Sequence, residues 1–505
     1  MTQAFDLLII GGGINGAGIA RDAVGRGLSV LLCEQGDLAG STSSASTKLI
    51  HGGLRYLEYF EFRLVREALF ERERLLESAP HIIWPLRFIL PHEKGVRPAW
   101  LVRLGLFLYD HLARRRKLPG TQTIRLGAHP AGHALKPGFD TAFMYSDCWV
   151  EDSRLVALAA LDAAEHGADI RVRTKVAAAR RDRDRWRARL EDAETGATAE
   201  VEARAIVNAA GPWVADVLNT GLGLDLRKGV RLVKGSHIVV PKLFEGDHAF
   251  ILQNQDKRIV FAIPYQGRYT LVGTTDVAVE AGARKAVISD EEVRYLCEAM
   301  NRVFKRQIAP ADVVWTYSGV RPLFDDGSID ASAVTRDYVF DLDKPEGQPP
   351  VLSVFGGKIT TFRKLAEHAL DELKPFFPGM KPSWTETAKL PGGDMPDADF
   401  ERFFAGFKAR YMFLPQPLAR RLARAYGTRA DDVLGKARTL TDLGEDFGGG
   451  ITAAEVDYLH DREWARSAED ILWRRSKLGL HVPAGTAERI DAYLLRKRTP
   501  AIAAQ

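Results

Sequence analysis

Residues 11–16 (GGGING) have the types and the spacing of a phosphate-binding turn. They satisfy the pattern G-x-G-x-x-G, in which the first glycine makes a tight turn and the second lets the backbone approach a pyrophosphate. The third glycine lets the following helix lie close to the preceding strand, and the N–H groups and dipole of that helix attract the phosphates. We therefore expect Gly11, Gly13 and Gly16 to hold a dinucleotide.

The elements around this turn must form a βαβ unit if it binds a dinucleotide. Residues 5–10 (FDLLII) are a continuous apolar run, which predicts a strand buried on both faces. Residues 14–26 carry the small side chains of a closely packed helix, and residues 29–34 (SVLLCE) predict the next buried strand. Glu34 ends that strand, where a carboxylate can accept hydrogen bonds from an adenosine ribose.

Two later strand ends favour FAD over NAD as the dinucleotide. One predicted strand (205–211, AIVNAAG) ends at Gly211, and another (351–355, VLSVF) ends at Gly356 and Gly357 before a helix. Several sheet ends that return to one cofactor suit the long FAD molecule. The second glycine-rich turn could also direct a helix N-terminus at the flavin pyrimidine, where the dipole would stabilise the anionic reduced form.

The chain of 505 residues exceeds one ordinary core, so we expect two or three domains. Residues 235–275 contain several short strand patterns, which predict a second sheet suited to capping a substrate pocket. A stretch rich in Pro and Gly at 375–395 precedes a region of helical periodicity. We predict an FAD-binding domain over residues 1–390, with an interleaved cap whose strands lie mainly at about 225–340, and a helical domain over residues 391–505.

Composition limits the remaining classes of function. Hydrophobic residues make up 46% and charged residues 27% of the chain, which is the balance of a soluble globular protein. Its three cysteines are scattered, so we expect a reducing compartment, with no disulfide framework and no metal site. A formal net charge of +4 permits an anionic substrate or an acidic lipid surface but requires neither. We see no secretory signal and no apolar run of roughly 18 residues that could span a membrane.

Residues 97–117 (RPAWLVRLGLFLYDHLARRRK) combine an apolar stretch with five arginines and a lysine. Trp100, Leu104, Phe107 and Leu108 would share one face of a helix. A basic helix with aromatic residues can lie in the membrane interface and prefers anionic lipid. The alternative is a core helix whose arginines extend to the surface, and the sequence alone favours neither.

Further motifs resemble those of the aerobic, FAD-dependent glycerol-3-phosphate dehydrogenases, and the resemblance covers nearly the whole chain. The matching segments are GSTSSASTKLIHGGLRYLEY (40–59), YSDCWVEDSRL (145–155), VKGSHIVVP (233–241), ILQNQDKRIVFAIPY (251–265), LVGTTD (271–276), WTYSGVRPL (315–323), TRDY (335–338), LSVFGGKITTFRKLAEHAL (352–370) and DILWRRSKLGL (470–480).

The resemblance implies an α/β fold with a glutathione-reductase-like FAD-binding Rossmann domain, a mixed-sheet substrate-capping domain and a C-terminal all-α domain. It implies that hydride passes from sn-glycerol 3-phosphate to flavin, which yields dihydroxyacetone phosphate, and that electrons then reach membrane quinone. We expect a cytoplasmic protein bound peripherally to the inner membrane through an anionic lipid surface. The resemblance allows a homodimer, and we expect no nucleic-acid partner. The FAD contacts carried over from it are Gly11, Gly13, Gly16, Glu34, Ser41, Thr42, Ser46, Lys48, Gly53, Val176, Gly211, Gly357 and Thr360.

Basic residues within the matching motifs are candidates for binding the substrate phosphate, because arginine forks match phosphate oxygens. These are Arg55, Arg321, Arg336 and Lys358, and Tyr56 beside Arg55 could donate a hydrogen bond to the substrate. The alternative for each basic residue is an ordinary surface ion pair, since the chain has 70 Lys and Arg residues.

Oxidation of an alcohol also needs a group that removes the hydroxyl proton, and histidine is the natural candidate. We predict His237, on a strand of the capping sheet, as the base, with His51 as a flavin contact that could take this role instead. Arg321 or Lys358 could instead stabilise the alkoxide electrostatically.

Three other functions remain open from sequence. The first is an oxidase that passes electrons to oxygen with the same substrate. The second is an amino-acid or amine oxidase of the same fold. The third is a flavin-binding interaction protein without catalytic activity that uses a basic face on nucleic acid, for which salt-sensitive binding would be diagnostic.

Overall fold

The computed structural model describes residues 2–93, 98–225, 229–254, 256, 258–279, 286–324 and 337–502. The predicted substrate ligand Arg336 lies outside the described residues.

The strands are given in chain order. They are β1 (Gln3–Ile10), β2 (Val30–Cys33), β3 (Leu49–Ile50), β4 (Ile83–Pro91), β5 (Gln122–Arg125), β6 (Thr141–Val150), β7 (Asp169–Arg171), β8 (Thr174–Asp182), β9 (Arg185–Asp192), β10 (Thr198–Asn208), β11 (Val230–Pro241), β12 (His248–Gln253), β13 (Ile259–Tyr265), β14 (Tyr269–Gly273), β15 (Val277–Val279), β16 (Trp315–Phe324), β17 (Val339–Asp343), β18 (Val351–Phe355), β19 (Asp446–Gly448) and β20 (Ile451–Thr452).

The α-helices follow the same order. They are α1 (Ile14–Gly25), α2 (Phe62–Ser78), α3 (Ala99–His111), α4 (Asp152–Glu165), α5 (Val214–Asp216), α6 (Asp290–Val303), α7 (Phe362–Leu373), α8 (Phe400–Arg410), α9 (Gln416–Tyr426), α10 (Ala430–Leu434), α11 (Ala453–Glu463) and α12 (Thr486–Ile502). Two 3₁₀ turns, Leu54–Tyr59 and Ile359–Thr361, contribute to the site described below.

The first sheet has the strand order β17-β18-β10-β1-β2-β7. Strands β18, β10, β1, β2 and β7 are parallel, and β17 is antiparallel to β18. Helices α1, α4 and α7 contribute apolar residues to the core on one face, and the antiparallel strands β8 and β9 pack on the other face with Leu8, Leu31 and Trp186. Because the carboxyl ends of parallel strands meet at one edge, this sheet directs the turns after β1, β2, β10 and β18 to one place.

The second sheet is mixed and has the order β15-β11-β14-β13-β12-β4-β6-β3, with β16 paired to β11 and β5 paired to β6. The sequence pattern indicates the strands between about 225 and 340, but β3, β4, β5 and β6 also join this sheet from the first 150 residues. Strand β4 contains Pro85 and Pro91, and proline within an apolar run argues against a central strand. The structure accommodates both, because β12 pairs only with residues 87–89 of β4.

The C-terminal region has its own core, built from α8, α9, α10, α11 and α12, together with the short hairpin of β19 and β20. Helix α11 ends at Glu463, and Trp464, which follows it, adopts a left-handed conformation with φ +58°. This helix end places the Glu463 carboxylate on Arg154 of α4, and Arg475 donates hydrogen bonds to the Glu463 carbonyl. The contact with α4 thus accompanies the end of the helix.

Buried ion pairs join this region to the first sheet. The Arg475 guanidinium donates to both carboxylate oxygens of Asp37 at 2.7 and 2.8 Å, close to the end of β2. In a second ion pair, between Arg154 and Glu463, both side chains are buried as well. In addition, Trp473 stacks on Trp315 of β16 with ring centroids 4.6 Å apart.

Helix α3 lies on the surface, so the core alternative for residues 97–117 is not what the structure shows. Trp100, Leu104, Phe107 and Leu108 are all exposed, and Trp100 retains 67% of its accessible surface. Apolar side chains of the adjacent segment 59–62 are exposed as well. No helix among the described residues is both long and apolar enough to cross a membrane.

Candidate active site

The turn after β1 has the close backbone contacts that its glycines predict. Gly11 has φ +111°, and a Cβ there would lie 2.6 Å from the Ala209 carbonyl oxygen at the end of β10. A Cβ on Gly16 would lie 1.9 Å from the Gly11 carbonyl oxygen. Only glycine fits both positions, because the turn, the helix and the neighbouring strand lie closer together than a side chain allows.

Helix α1 begins without a side-chain cap, and Gly13 occupies its N-cap position. Ser43 accepts a hydrogen bond from the Ile14 N–H at 3.0 Å, and the Glu34 carboxylate accepts from the Gly12 and Gly36 N–H groups, each at 2.7 Å. Burial raises the pKa of Glu34, against the lowering effect of these two donors. The structure therefore combines a helix N-terminus suited to phosphate with a fixed carboxylate at the end of β2.

A cavity of about 740 Å³ is lined by the second sheet, by α3 and, from the edge of the first sheet, by Ile14 of α1 and the turn after β18. The motifs that the sequence analysis identified meet here, although they are as far apart in the chain as Thr42 and Thr360. The predicted site residues that line the cavity are Thr42, Ser46, His51, Gly53, Arg55, Tyr56, His237, Arg321, Gly357, Lys358 and Thr360.

One wall of the cavity is formed by the glycine-rich turn after β18. Gly356 and Gly357 have φ values of +73° and +96°, so both adopt a backbone conformation that favours glycine. Lys358 and Thr360, at the start of the helical segment that continues into α7, both line the cavity. The Thr360 hydroxyl accepts a hydrogen bond from the His51 N–H at 3.2 Å, which joins two separate sequence motifs.

A cationic group stands over an aromatic ring at this wall. The Lys358 ammonium lies 3.8 Å from the centre of the Tyr56 ring. Gly53, with φ +77°, makes room for this ring, since a Cβ there would lie 2.2 Å from it. Arg55 lines the same cavity, and its guanidinium donates to the Tyr59 hydroxyl at 3.4 Å. Together, Lys358 and Arg55 provide positive charge where an anionic group could bind.

Arg321 reaches the cavity from β16, but it does so as part of an ion pair. Its guanidinium donates to the Asp276 carboxylate and, at 3.2 Å, to the Thr274 hydroxyl. Sequence reasoning missed Asp276 and Thr274, although both belong to the matching LVGTTD segment. A bound phosphate predicts cations around it, so the sequence offers no signal for a carboxylate that orients Arg321. Gly235 on β11 leaves space for this guanidinium.

His237 lies on β11 and is buried, with its ring stacked on Tyr317 at 4.7 Å between centroids and 14° between planes. Its Nε2 lies 3.0 Å from the Thr47 hydroxyl, and Nδ1 has no hydrogen-bond partner among the described residues. Burial, together with the charges of Lys48 and Arg321, holds the pKa of His237 well below 6.5. The imidazole is therefore uncharged at neutral pH, as a proton acceptor must be.

His51 lines the cavity next to Lys358. Burial, with further contributions from the Lys358 and Arg72 charges, lowers the pKa of His51 to about 4. This histidine is therefore also neutral at physiological pH and offers a second imidazole within the same cavity.

Besides Gly11, Gly13, Gly16 and Glu34 of the first βαβ unit, four predicted FAD contacts are not among the residues that line the cavity: Ser41, Lys48, Val176 and Gly211. Ser41 begins the short turn 42–44, and Val176 lies on β8. Gly211 follows β10, with φ +57°. Lys48 is fully buried, and its ammonium donates to both oxygens of Asp152 at 2.9 Å.

The residues of this structure fit an FAD molecule. The glycine turn leaves space that a Cβ would fill, and the N-terminus of α1, whose N-cap residue Gly13 has no side chain, can receive a pyrophosphate. Glu34 at the end of β2 could accept hydrogen bonds from an adenosine ribose, and Gly357 and Thr360 line the cavity that could hold a flavin ring. A long cofactor that follows the edge of the first sheet would contact each of these groups.

Comparison with known proteins agrees with this geometry. Residues 6–363 match the family of FAD dependent oxidoreductases, and residues 383–492 match the C-terminal domain of alpha-glycerophosphate oxidase. Both the FAD cofactor and the fold class predicted from the sequence are thereby confirmed.

Individual relatives extend over almost the whole chain. The D-erythritol 1-phosphate dehydrogenase of Brucella abortus is 55% identical over 95% of this chain and 95% of its own. A glycerol-3-phosphate dehydrogenase of Pseudomonas aeruginosa is 54% identical over 98% of this chain and 96% of its own.

A solved structure supports the same assignment. The glycerol-3-phosphate dehydrogenase of Bacillus halodurans, complexed with FAD, is 26% identical to this chain with a TM-score of 0.74. The match covers 99% of this chain and 89% of that one. The chain therefore belongs to the FAD-dependent oxidoreductase family and, within it, to the group that contains the FAD-dependent glycerol-3-phosphate dehydrogenases.

Proposed function

We propose that this protein oxidises sn-glycerol 3-phosphate to dihydroxyacetone phosphate, with FAD as the hydride acceptor and membrane quinone as the next electron acceptor. The observation that carries the proposal is one cavity that combines Lys358, Arg55 and Arg321 with the neutral imidazole of His237. Cations bind a phosphate, and an uncharged imidazole can receive a hydroxyl proton. The substrate name comes from relatives such as the Pseudomonas aeruginosa enzyme.

We assign phosphate binding to the wall of the cavity where Lys358 lies over Tyr56. Lys358 and Arg55 supply positive charge, and the Tyr56 hydroxyl lies on the ring that Lys358 covers. Arg321 adds a guanidinium whose direction is fixed by Asp276. Because that pair is formally neutral, we assign Arg321 to orienting the phosphate or the alcohol oxygen through hydrogen bonds rather than to supplying net charge. Arg336 remains a proposed phosphate ligand from its TRDY motif.

Proton removal is assigned to His237. Oxidation of the secondary alcohol requires that its hydroxyl proton leave as the C–H bond is broken. His237 is neutral and lines the cavity, so it can hold that proton, and His51 is the alternative. Bound FAD would supply the chemistry of accepting the hydride. Lys358 and Arg321 would meanwhile stabilise negative charge that develops on the oxygen.

D-Erythritol 1-phosphate is a second candidate substrate. The relative named for this substrate is 55% identical to the chain, and the glycerol-3-phosphate dehydrogenase of Pseudomonas aeruginosa is 54% identical. Both substrates are polyol phosphates, so the same cations and the same imidazole would serve either one. The two differ in length, and only direct comparison of turnover distinguishes them.

Anaerobic mixing of the FAD-loaded protein with each polyol phosphate tests these assignments. Glycerol 3-phosphate should bleach the visible flavin absorbance rapidly, and Arg321→Ala should slow that bleaching by about 100-fold or more. Faster bleaching by D-erythritol 1-phosphate would favour the second candidate. Bleaching by an amino acid alone would indicate an amino-acid oxidase, and absence of bleaching by every substrate would refute the proposal.

Quinone use is supported by the exposed apolar surface at the cavity. We name this surface the α3 patch; its members are Tyr59, Phe60, Phe62, Trp100, Leu101, Leu104, Phe107 and Leu108. All except Trp100 and Phe107 also line the cavity. Large exposed apolar patches mark interaction surfaces, and basic residues at 114–117 adjoin this one. We propose that it docks on anionic lipid at the cytoplasmic face of the inner membrane.

The acceptor can be tested separately from the substrate. Peroxide production with and without a quinone analogue distinguishes a dehydrogenase from an oxidase. Turnover that depends on the quinone analogue, with little peroxide, is the expected result. Rapid peroxide formation that the analogue does not reduce would favour oxygen as the acceptor.

A further inference from the structure

Asp152, the first residue of α4, is fully buried behind the loop that carries residues 41–48. Its carboxylate accepts hydrogen bonds from the Ser46 hydroxyl at 2.7 Å, the Ser46 N–H at 3.2 Å and the Lys48 ammonium at 2.9 Å. The Lys48 ammonium also donates to the Ser44 carbonyl at 3.1 Å. One buried carboxylate therefore holds the residues on both sides of Thr47.

Thr47 connects this loop to the capping sheet. Its hydroxyl lies 3.0 Å from Nε2 of His237, and both residues line the cavity. Tyr317, which stacks on the His237 ring, donates from its hydroxyl to the Ser46 carbonyl at 2.8 Å. The hydrogen-bonding contact and the stacking contact of His237 thus both lead to residues that Asp152 holds in place.

The backbone of this segment also depends on those contacts. Lys48 has φ +60°, which is a strained conformation for a residue with a side chain. Such a conformation persists only where surrounding contacts fix it. Here those contacts are the ion pair with Asp152 and the hydrogen bond to Ser44.

We propose that Asp152 is a positioning residue for His237, acting through Ser46 and Lys48 to fix the Thr47 hydroxyl against the imidazole. The inference rests on the proposed function, because it assumes that His237 receives the substrate proton. It assigns a role to a carboxylate outside the cavity wall. It also gives Lys48 a role that does not require direct contact with flavin.

Charged groups near His237 are consistent with this role. Lys48 and Arg321 face it from the loop and from β16, and both lower its pKa in addition to burial. Asp152 is the counter-ion of Lys48, and the C-terminal Lys477 lies nearby with its pKa lowered to about 8 by burial and by Lys48. The buried pair therefore keeps the Lys48 cation close to the imidazole, with Asp152 as its counter-ion.

The decisive variant is Thr47→Val, because it removes one hydroxyl and leaves the Asp152 contacts intact. We expect normal FAD content and an unchanged Tm. We expect kcat to fall by roughly 10- to 100-fold with KM within a few-fold of its original value, since the substrate still binds but the imidazole is misplaced. Thr47→Ser should restore most of the activity. A Thr47→Val enzyme with the original kcat and pH profile would overturn the proposal.

Variants of the buried pair test the role of Asp152 itself. Asp152→Asn leaves Lys48 as an unpaired buried cation, so we combine it with Lys48→Met to form a neutral pair. The double variant should bind FAD, lose kcat as Thr47→Val does, and show its acid limb of kcat at higher pH, because the Lys48 cation that lowers the pKa of His237 is absent. A double variant that keeps the original kcat and the original acid limb of the pH profile of kcat would contradict the proposal.

Asp162→Asn is the matched control. Asp162 is a buried carboxylate on the same helix, paired with Arg21, and it does not contact residues 41–48. This variant should lower Tm without changing the pH profile. If glycerol 3-phosphate does not bleach the flavin of the unmodified protein, the proposed function fails. If it does bleach and only the Thr47 and Asp152 results are negative, this inference alone fails.

Discussion

The Lys358 ammonium lies 3.8 Å from the centre of the Tyr56 ring, so two side chains more than 300 positions apart in the chain form one wall of the cavity. Lys358→Met keeps the length of the side chain and removes its charge. We expect flavin reduction by glycerol 3-phosphate to slow by about 100-fold or more, because a phosphate ligand is lost. Stopped-flow absorbance measures this rate.

Lys364→Met is the matched control for that variant, because Lys364 pairs with Glu367 on α7 and does not line the cavity. It should leave flavin reduction within a few-fold of the original rate. Equal effects of the two substitutions would exclude a specific role for Lys358.

Replacement of Gly16 by alanine should abolish FAD binding. The added Cβ would lie 1.9 Å from the Gly11 carbonyl oxygen, so the turn and α1 would have to separate. Gly127→Ala is the control, since a Cβ there meets no atom within 4 Å. Flavin content per protein, measured by absorbance after purification, should fall for the first variant and stay constant for the second.

Polar substitution within the α3 patch should weaken lipid binding and spare the chemistry with substrate. Phe60→Ser and Trp100→Ser remove large exposed apolar side chains, which retain 79% and 67% of their accessible surface. We expect less co-sedimentation with anionic vesicles and slower turnover with quinone in those vesicles. Turnover with a soluble dye should persist.

Met412→Ser provides the control for the patch, because Met412 is an exposed apolar residue between α8 and α9 and is not a member of the patch. Its vesicle binding should equal that of the unmodified protein. If the patch variants also bind vesicles normally, the α3 patch is not the lipid-binding surface.

Stability should decrease below pH 6.5 partly because of His81. This residue is fully buried, and burial, together with the Arg154 and Arg424 charges, lowers its pKa to about 3. In the unfolded chain its pKa returns to 6.5, so between these values the unfolded state binds the additional proton. The contribution of His81 to the free energy of unfolding is complete above pH 6.5 and is lost progressively as the pH falls below that value.

The variant His81→Leu tests this dependence. Its free energy of unfolding should fall less steeply with decreasing pH, by up to about 1.4 kcal/mol per pH unit below 6.5. Urea titrations at several pH values measure the slope. His133→Leu, at an exposed position, should leave the slope unchanged.

Removal of one partner from the Arg154–Glu463 pair should destabilise the protein strongly. Both side chains are buried, so Glu463→Gln leaves Arg154 without its counter-ion at a cost of about 3–5 kcal/mol. The pair Arg420–Glu401 is exposed, and Arg420→Ala should cost only about 0.2–1 kcal/mol. Urea unfolding, followed by intrinsic fluorescence, compares the two variants. Similar losses in the free energy of unfolding would contradict the role assigned to burial.

Local patterns were sufficient to predict the elements that bind the dinucleotide. Residues 5–10 and 14–26 predict β1 and α1 closely, because an apolar run and small residues next to glycines have few other interpretations. The strands β3 to β6 could not be predicted in the same way. Strands β3 and β5 are short and β4 contains proline, while β6 joins the second sheet only by pairing with these three strands.

The candidate site was likewise only partly predictable. Motif resemblance identifies His237, Arg321 and Lys358, and all three line one cavity. It does not reveal that Arg321 is paired with Asp276, or that Lys48 is buried against Asp152. Those pairings depend on distances between separate elements, and neither spacing nor composition encodes such distances directly.

The Asp37–Arg475 contact has a consequence for how this chain can change. Asp37 lies just beyond the cofactor-binding strand β2, yet its buried counter-ion is provided more than 400 positions later. A shortened chain that ends near residue 390 would leave Asp37 and Arg154 without partners, so it should not persist as a smaller working enzyme. Chimaeras between relatives should fold well only when the segment that carries Asp37 and the segment that carries Arg475 come from the same parent.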